Sequence, residues 1–501
     1  MRKAGILLHI SSLPGPYGIG SFGKAAYDFV DFLIRNKQSF WQILPLGPTS
    51  YGDSPYQTFS AFANNPYFID LDLLVKEGLL KKQEITATFA NPRAVDYHKL
   101  YEERFDVLRH AFKRFDDQDS GYVTFYHDHR TWLDDYALFM AIKGEHDGAS
   151  WQAWPHALRM REASALKQAH ERLAEDIGFY RFLQYKAYTQ WLALKAYANK
   201  NHIEIIGDMP IYVSYDSSDV WANPTLFDLD EKRQPRHVAG VPPDSFSKDG
   251  QLWGNPLYDW DTMAKDDFAW WVDRVRASMM LYDWIRIDHF IGFQHYFSIP
   301  YRAKTAKEGT WETGPGIRVF EVIKQSLGHV NIIAEDLGVI TPDVRKLLKE
   351  TGFPGMKLLQ FAFDSREESD YLPHHYDKHT IVYTGTHDNH TTKSWFKHLS
   401  QKDRKYCYDY INHAGDSDPV VSLIKATLLS VSETAIIPMQ DYLNLGDEAR
   451  MNMPSTLGDN WRWRTLKSDF NTATSRKIKH LTTLYGRANG RDTNTKETNK
   501  P

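Results

Sequence analysis

The sequence predicts an α/β fold: a (β/α)₈ barrel of parallel strands with large helical insertions on the face where the strands end. Eight short apolar runs, rich in β-branched residues and of strand length, recur along the 501-residue chain. Longer segments with helical periodicity separate them, and strands apolar throughout are typical of a parallel sheet covered by helices. Eight repeats favour a closed barrel, although an open doubly wound sheet has the same periodicity.

The predicted strands and the clearest helices follow one another in order. The strands are residues 5–10, 40–44, 203–208, 284–288, 331–335, 356–361, 380–384 and 434–439. The helices include residues 24–34, 268–280 and 343–349. Because each predicted strand is followed by a segment long enough for a helix, this order is that of a repeated strand–helix unit.

The spacing of the strands predicts two insertions in a single barrel domain, residues 1–486. The gap between the second and third strands is far longer than one helix requires, so residues 49–199 are expected to form a largely helical subdomain. Residues 215–261, rich in Pro, Gly, Trp and Asp, are expected to form a loop insertion at the active-site face. Residues 487–501 lack apolar side chains beyond Ala488, and they are expected to be a disordered tail.

Composition narrows the class of protein. The formal net charge of −4 offers no extended basic surface, so nucleic acid is not an expected partner. No window reaches the ~18 consecutive apolar residues of a membrane span. The short apolar run near the N-terminus leads into a Gly- and Pro-rich loop, which is not typical of an export signal. The single cysteine, Cys407, excludes internal disulfides and favours a cytoplasmic enzyme.

The fourth strand, in the segment YDWIRIDHF, ends in an acid with an arginine two residues earlier. Side chains alternate along a strand, so Arg286 and Asp288 are expected to point to the same side. A guanidinium beside a carboxylate lowers its pKa and keeps it ionised, which a nucleophile requires. Considered alone, the pair is more often structural.

Acids also follow two further strands. Glu335 and Asp336 end the fifth strand, NIIAEDLG, and face opposite ways, so at most one of them lines the top of the barrel. Asp388 lies in the polar cluster that ends the seventh strand, GTHDNH. A helix cap is the structural alternative for each of these acids. Because the carboxyl ends of barrel strands meet at one face, acids from three strands are expected to converge on a single cleft.

Converging carboxylates suit the cleavage of a glycosidic bond. One carboxylate stays ionised and attacks the anomeric carbon, while a second is kept protonated by its anionic neighbours and protonates the leaving oxygen. A third acid can bond sugar hydroxyls and raise the pKa of the proton donor further. The chemistry predicted from the residues is therefore that of a retaining enzyme acting on glycosides.

Nine segments resemble, in order, those of the amylomaltases, the 4-α-glucanotransferases of glycoside hydrolase family 77. They are ISSLPGPYGIGSFG, WQILPLGPT, SPYQTFSAFANNPYFIDL, GDMPIYV, PPDSFSKDGQLWGNPLYDW, IRIDHF, IIAEDLG, GTHDN and PSTLGDNWRWR. They extend from Ile10 to Arg464 and so cover almost the whole chain. Any one block would be a weak signal, but nine in order are specific.

The resemblance implies a role for each acid. Asp288 would be the nucleophile, Glu335 the general acid/base and Asp388 the transition-state stabiliser of a double displacement through a covalent glycosyl-aspartate. It also implies a set of substrate-binding residues: Arg286, His387, Asp208, Tyr56, Asp244, Trp253 and Asn460. Family members often carry an aromatic residue after the aspartate of the PPD motif, where this chain has Ser245. This departure leaves acceptor preference and product size open.

The substrate and the partners also come from the resemblance. It implies transfer of α-1,4-glucan segments from a donor maltodextrin to the 4-hydroxyl of an acceptor glucan or glucose, with maltooligosaccharides and fragments of starch or glycogen as partners. No cofactor and no metal are implied. Transfer requires a bound acceptor and the exclusion of water, which aromatic side chains such as Tyr56, Trp253 and Trp461 can provide. The alternatives are hydrolysis by the same acids and glucan binding without catalysis.

Two further patterns do not predict sites. The segment GIGSFG, residues 18–23, matches G-x-G-x-x-G, but two prolines separate it from the first strand, and the second strand ends in Leu44 rather than an acid. A nucleotide site is therefore not expected. The 21 histidines include two close groups, His374–His375 and 387–390, but no H-E-x-x-H motif occurs. A solvated or sugar-contacting role is expected for these histidines.

Overall fold

The computed structural model describes residues 2–50, 52–243, 247–338, 340–412 and 418–490. The strands in these residues are β1 (Lys3–Leu7), β2 (Phe40–Gln42), β3 (Glu204–Pro210), β4 (His237–Val241), β5 (Gln251–Pro256), β6 (Trp284–Asp288), β7 (His295–Pro300), β8 (Thr310–Thr313), β9 (Ile332–Ala334), β10 (Gly355–Leu358), β11 (Thr380–Tyr383) and β12 (Thr434–Pro438). The α-helices are α1 (Lys24–Arg35), α2 (Leu71–Lys76), α3 (Tyr97–Phe112), α4 (Ser120–Glu145), α5 (His156–Arg159), α6 (Ala163–Arg172), α7 (Ala174–Lys200), α8 (Ser218–Ala222), α9 (Trp260–Lys265), α10 (Ala269–Leu281), α11 (Ile317–Leu327), α12 (Pro342–Thr351), α13 (Thr392–His398), α14 (Gln401–Tyr410), α15 (Pro419–Leu429), α16 (Met439–Tyr442) and α17 (Thr472–Leu484).

Eight of the strands close into a parallel barrel in the order β1-β2-β3-β6-β9-β10-β11-β12. Closure is visible at Leu7, which pairs with Gln42 of β2 on one side and with Pro438 of β12 on the other. Each predicted strand corresponds to one barrel strand, so the predicted (β/α)₈ barrel is confirmed and the open sheet is excluded. The strands are apolar throughout because both faces are covered: every residue of β11 and of β12 is buried.

In the described residues of the long connection between β2 and β3 there are six α-helices, α2 to α7. Helix α4 packs along α7, which also packs against α1 and β3. The last helix of the segment 49–199 therefore belongs both to the inserted region and to the outer layer of the barrel. Helical periodicity alone does not reveal this double role, because it shows that a face is buried but not against what.

A second sheet, which the sequence did not predict, has the antiparallel order β5-β4-β7-β8. Two of its strands lie in the predicted insertion 215–261, and the other two follow β6 along the chain. Its strands carry a weak signal: all four residues of β8 are exposed, and β4 and β5 pair with a shift in register next to Gly240. Strand β7 follows the strand that carries Asp288 after one short 3₁₀ helix, Phe290–Phe293, so this sheet lies beside the carboxyl ends of the barrel strands.

The chain remains folded beyond the predicted start of the tail at residue 487. Arg487 is buried and donates hydrogen bonds to the carbonyl oxygens of Leu428, Lys3 and Ser432. Asn489 donates to the carbonyl oxygen of Gln38 at 3.0 Å. The predicted boundary is therefore wrong for residues 487–490, whose polar side chains satisfy backbone carbonyls; residues 491–501 lie outside the described part of the chain.

Among the helices of the described residues, none is both long enough and apolar enough to cross a membrane.

Candidate active site

The centre of the candidate site is the guanidinium of Arg286, which is buried at 2% exposure. Its Nη1 donates to both carboxylate oxygens of Asp208, at 2.7 and 2.8 Å, and lies 3.0 Å from Oδ1 of Asp288. Its Nη2 lies 3.4 Å from Oε1 of Glu335. Asp208 and Arg286 are paired across β3 and β6, and Glu335 follows the next strand, β9. Three neighbouring strand ends thus bring three carboxylates onto one guanidinium.

The charges of this cluster are strongly coupled. Burial disfavours the charged form of Arg286, but the carboxylates of Asp208, Glu335 and Asp288 outweigh it and hold the pKa of the guanidinium well above its usual range. Burial raises the pKa of Asp208, although Arg286 opposes that rise. One guanidinium faces three acids, so the cluster favours keeping a proton on one of them.

Glu335 is the acid whose surroundings favour that proton. Burial raises the pKa of Glu335 well above its usual value, and the charges of Asp288 and Asp388 raise it further, while Arg286 opposes them. The backbone N–H of His289 donates to Oε2 of Glu335 and, like Arg286, opposes the rise in its pKa. His289 adopts the left-handed conformation, with φ of 53°, at the turn that follows β6. The arrangement can supply a proton to a leaving group at neutral pH.

Asp388 has the opposite electrostatic setting. Burial raises the pKa of Asp388, but the neighbouring His387 and the side chain of Asn452 outweigh it and lower the pKa to about 2. Nε2 of His387 lies 3.2 Å from Oδ2, and Nδ2 of Asn452 donates to Oδ1 at 2.6 Å. The pKa of His387 is raised in turn, because the charge of Asp388 outweighs the effect of burial. Asp388 therefore presents a fixed negative charge, and its side chain is 42% exposed.

An aromatic wall, which we define as Tyr56, His387 and Trp461, stands beside these acids. The rings of Tyr56 and His387 are stacked, with centroids 5.0 Å apart and planes 17° from parallel. The ring of Trp461 lies 5.7 Å from Tyr56 and 5.8 Å from His387. The hydroxyl of Tyr56 donates to Oδ2 of Asp208 at 2.7 Å, which couples the wall to the carboxylate cluster.

Trp253 lies on the second sheet, in β5, and reaches the same region. Its ring meets that of His289 edge to face, with centroids 4.9 Å apart and planes at 88°. Its Nε1 donates to the side chain of Gln251 at 3.1 Å. Because the backbone of His289 contacts Glu335, His289 alone separates Trp253 from the predicted proton donor.

Asn460 differs from the other predicted binding residues, since its polar atoms serve its own loop. Its Oδ1 accepts from the backbone N–H of Met453 at 3.0 Å, and its Nδ2 donates to the carbonyl and hydroxyl oxygens of Thr456, both at 3.1 Å. The loop leads directly into Trp461. The geometry therefore makes Asn460 a support for the aromatic wall, and its contact with sugar stays a prediction. Asp244 and Ser245 lie outside the described residues.

The structure separates the two adjacent acids that follow β9. Oδ1 of Asp336 accepts from the backbone N–H of Met356 at 2.7 Å, so Asp336 bonds the neighbouring strand β10. Glu335 points instead to Arg286. As expected, only one of the two acids lines the top of the barrel, and it is Glu335.

The sequence did not predict two contacts of Asp388. Asn452 holds its carboxylate, and Arg450 donates from Nη2 to its backbone carbonyl at 2.7 Å. Both residues lie just before the block PSTLGDNWRWR, and they are more than 60 positions from Asp388. The only sequence signal was their proximity to that block.

Two groups among the described residues offer metal-binding atoms close together. They are Glu368, His374 and His375, and His390, His398 and Asp447. The second group is next to the active site, but Nη1 of Arg450 lies 3.1 Å from Nδ1 of His390. That guanidinium places a positive charge where a metal would bind. Neither group contains Asp288, Glu335 or Asp388.

Comparison with known proteins places the chain among enzymes that act on glucans. The family model for 4-alpha-glucanotransferase, glycoside hydrolase family 77, matches residues 8–469. The chain is 51% identical over 494 residues to a 4-alpha-glucanotransferase of Streptococcus pneumoniae, covering 97% of this chain and 98% of that protein. It is 48% identical over 485 residues to a 4-alpha-glucanotransferase of Clostridium butyricum, and the match covers 96% of this chain and 100% of that protein.

The fold is also similar to a solved structure. The amylomaltase from Streptococcus agalactiae in complex with acarbose has a TM-score of 0.95 and 44% sequence identity, covering 98% of this chain and 100% of that chain. The similarity thus extends over the barrel, the insertions and the second sheet. Asp288, Glu335 and Asp388 all lie within the matched residues.

Proposed function

The chain belongs to the 4-alpha-glucanotransferases of glycoside hydrolase family 77, and from this premise we propose that Asp288, Glu335 and Asp388 perform its reaction. The protein is an enzyme whose activity is glucan transfer. The observation that supports these roles is the shared guanidinium of Arg286. It lies 3.0 Å from Asp288 and 3.4 Å from Glu335, and burial together with the charge of Asp288 raises the pKa of Glu335.

In the first step, the Asp288 carboxylate attacks the anomeric carbon of the donor while Glu335 gives its proton to the leaving glycosidic oxygen. The bond from C1 to that oxygen breaks, and a bond from C1 to the aspartate forms. Arg286 supports this step because it binds one oxygen of Asp288 and keeps that carboxylate oriented. The raised pKa of Glu335 supports its role as the donor of the proton.

In the second step, the 4-hydroxyl of an acceptor sugar gives its proton to the Glu335 carboxylate and attacks C1. The ester bond to Asp288 breaks, and the aspartate leaves as a carboxylate. Two inversions at C1 restore the α configuration. Glu335 returns to its protonated form, so the cycle closes without any cofactor.

Asp388 stabilises the charge of the transition state and takes no part in the making or breaking of bonds. The reacting sugar ring gains positive character in each transition state, and a fixed anion beside it stabilises that charge. The pKa of about 2 keeps Asp388 ionised throughout the working pH range. Its partners His387 and Asn452 hold it in place, which favours a preorganised site.

The aromatic wall and Trp253 support binding of the glucan. Glucose rings present apolar faces that pack on aromatic side chains, and the rings of the wall offer such surfaces. A covered acceptor site keeps water from the ester intermediate and favours transfer over hydrolysis. The acarbose bound to the similar amylomaltase of Streptococcus agalactiae supports α-glucan oligosaccharides as partners.

The single cysteine, Cys407, which is free and buried, supports a cytoplasmic location.

The deciding experiment is incubation with maltotriose, followed by separation of the products by length. Transfer gives glucose together with a ladder of longer maltodextrins. Hydrolysis by the same acids gives glucose and maltose and no longer products. The variant Asp288→Asn is the control, because it keeps the size of the side chain but removes the nucleophile, and it is expected to give neither pattern.

A further inference from the structure

The loop between β10 and β11, residues 359–379, brings two histidines and a glutamate together on the surface. Oε1 of Glu368 lies 3.1 Å from Nε2 of His375 and 3.7 Å from Nε2 of His374. The three ligating atoms lie within 4.8 Å of one another. Neither the chemistry proposed above nor the family motifs use these residues.

The outer nitrogens of both rings are held by other groups. Nδ1 of His375 lies 3.2 Å from the carbonyl oxygen of Ser369, and Nδ1 of His374 lies 2.8 Å from the hydroxyl of Tyr410. A carbonyl oxygen only accepts, so Nδ1 of His375 carries the hydrogen. Hydrogen bonds of this kind, made by the second ring nitrogen, orient the histidines of metal sites.

The inner nitrogen of His375 then faces an unfavourable neighbour. In the neutral ring, Nε2 carries a lone pair and points at the carboxylate of Glu368, so two acceptors lie 3.1 Å apart. A metal ion between them would be bound by both atoms. Nε2 of His374 approaches the same carboxylate oxygen. A metal ion could therefore bind all three side chains, whereas a proton is shared by only two atoms.

The ligand set selects the metal. Two imidazoles and one carboxylate suit Zn²⁺, whereas Ca²⁺ and Mg²⁺ prefer sites made of oxygen ligands. Zinc needs its ligands at about 2.0–2.2 Å, so the three side chains must move closer together than they are here. Their exposure permits that movement, since Glu368 is 71% exposed and His374 52%. We propose that Glu368, His374 and His375 form a three-ligand Zn²⁺ site with an open fourth position for water.

Zinc at this site would close a short segment of the loop onto itself. Glu368 lies before Tyr371 and the two histidines lie after it. The ring of Tyr371 packs against Phe361 at 5.4 Å, and Nζ of Lys357, in β10, lies 5.1 Å from the ring centroid. The metal would therefore stiffen a segment that is packed on the barrel, and it would stabilise the folded state by binding it selectively.

The proposal is tested by titrating chelator-treated, full-length protein with ZnCl₂ against a chromophoric zinc indicator. One equivalent is expected to bind per chain. His375→Ala and Glu368→Gln are each expected to lower the affinity about tenfold or more, because each removes one of the three ligands. Zinc should also raise the melting temperature of the wild type but not that of His375→Ala.

Two control variants make the result specific. His379→Ala removes an exposed histidine of the same loop that bonds the carbonyl of Gly352. His398→Ala removes one member of the second cluster of candidate ligands, which Arg450 approaches. Both are expected to bind one equivalent like the wild type. The proposal fails if the wild type binds no zinc, if His398→Ala loses the equivalent, or if His375→Ala and Glu368→Gln keep it. Circular dichroism of each variant establishes that it is folded.

Discussion

The side-chain amide of Asn452 donates a 2.6 Å hydrogen bond to Oδ1 of Asp388, and the backbone N–H of the same asparagine donates to the carbonyl of His387 at 3.1 Å. A single residue thus fixes both members of the His387–Asp388 pair. Arg450 adds a bond to the carbonyl of Asp388 and another to that of Asn452. The loop before Trp461 is therefore a support for the anion of the site.

Asn452→Ala is expected to lower kcat about tenfold and to leave KM for maltotriose nearly unchanged. The amide holds one oxygen of the ionised Asp388, and a hydrogen bond to a charged group contributes about 1.5–3 kcal/mol, so its loss leaves the anion less firmly oriented towards the reacting sugar. The measurement is the initial rate of transfer across a range of maltotriose concentrations. An unchanged kcat would show that the amide does not control Asp388.

Glu335→Gln is expected to lower kcat with maltotriose by about 10²–10⁴-fold, because the variant cannot protonate the leaving oxygen. Maltosyl fluoride has a leaving group that needs no protonation, so the first step with that donor is expected to proceed at nearly the wild-type rate. In the wild type, activity should fall on the alkaline side as pH rises through the raised pKa of Glu335. Equal losses with both donors would contradict the role of proton donor.

The barrel was predictable because its strands are buried on both faces and rich in β-branched residues. The strand Trp284–Asp288 has the predicted bounds. Other ends differ: residues 5–10 were predicted, whereas β1 ends at Leu7 and a short 3₁₀ helix, Ile10–Ser12, follows. The residues at the mouth of the barrel are buried too, so an apolar run does not mark where the hydrogen-bonded ladder stops.

The acids were predictable, but what holds them was not. Strand alternation and the shared face of the barrel suffice to bring Arg286 and Asp288 together. The contact of Asn452 with Asp388 joins residues 64 positions apart, and neither residue carries a local sign of the other. The same holds for Arg487, which bonds carbonyls of two distant segments, at Lys3 and at residues 428–432. Such contacts become visible only when the chain is folded.

Arg286→Met is expected to destabilise the fold by about 3–5 kcal/mol, because it leaves the fully buried carboxylate of Asp208 without its cationic partner. Arg286→Met combined with Asp208→Asn is expected to recover most of that stability but no activity, since Asp288 and Glu335 still lack the guanidinium. The measurement is urea-induced unfolding of each variant. Arg366→Met is the matched control: it breaks an exposed pair with Asp364 and should leave the urea midpoint close to that of the wild type. If the double variant were as unstable as the single one, the burial of an unpaired charge would not be the cause.

Trp461→Ala and Tyr56→Ala are each expected to raise KM for maltotriose about tenfold and to increase the fraction of donor lost to water. Each substitution removes part of the aromatic wall, and a stacking contact of about 1.4 kcal/mol corresponds to tenfold in affinity. An acceptor that is held less firmly competes less well with water for the ester on Asp288.

Tyr56→Phe keeps the ring while losing the 2.7 Å bond to Asp208, so its transfer-to-hydrolysis ratio should stay near that of the wild type. Trp311→Ala, which removes an exposed tryptophan on β8, is the surface control. The measurement is the ratio of new maltodextrin to released reducing ends, and a ratio that falls equally in all four variants would contradict a specific role for the wall.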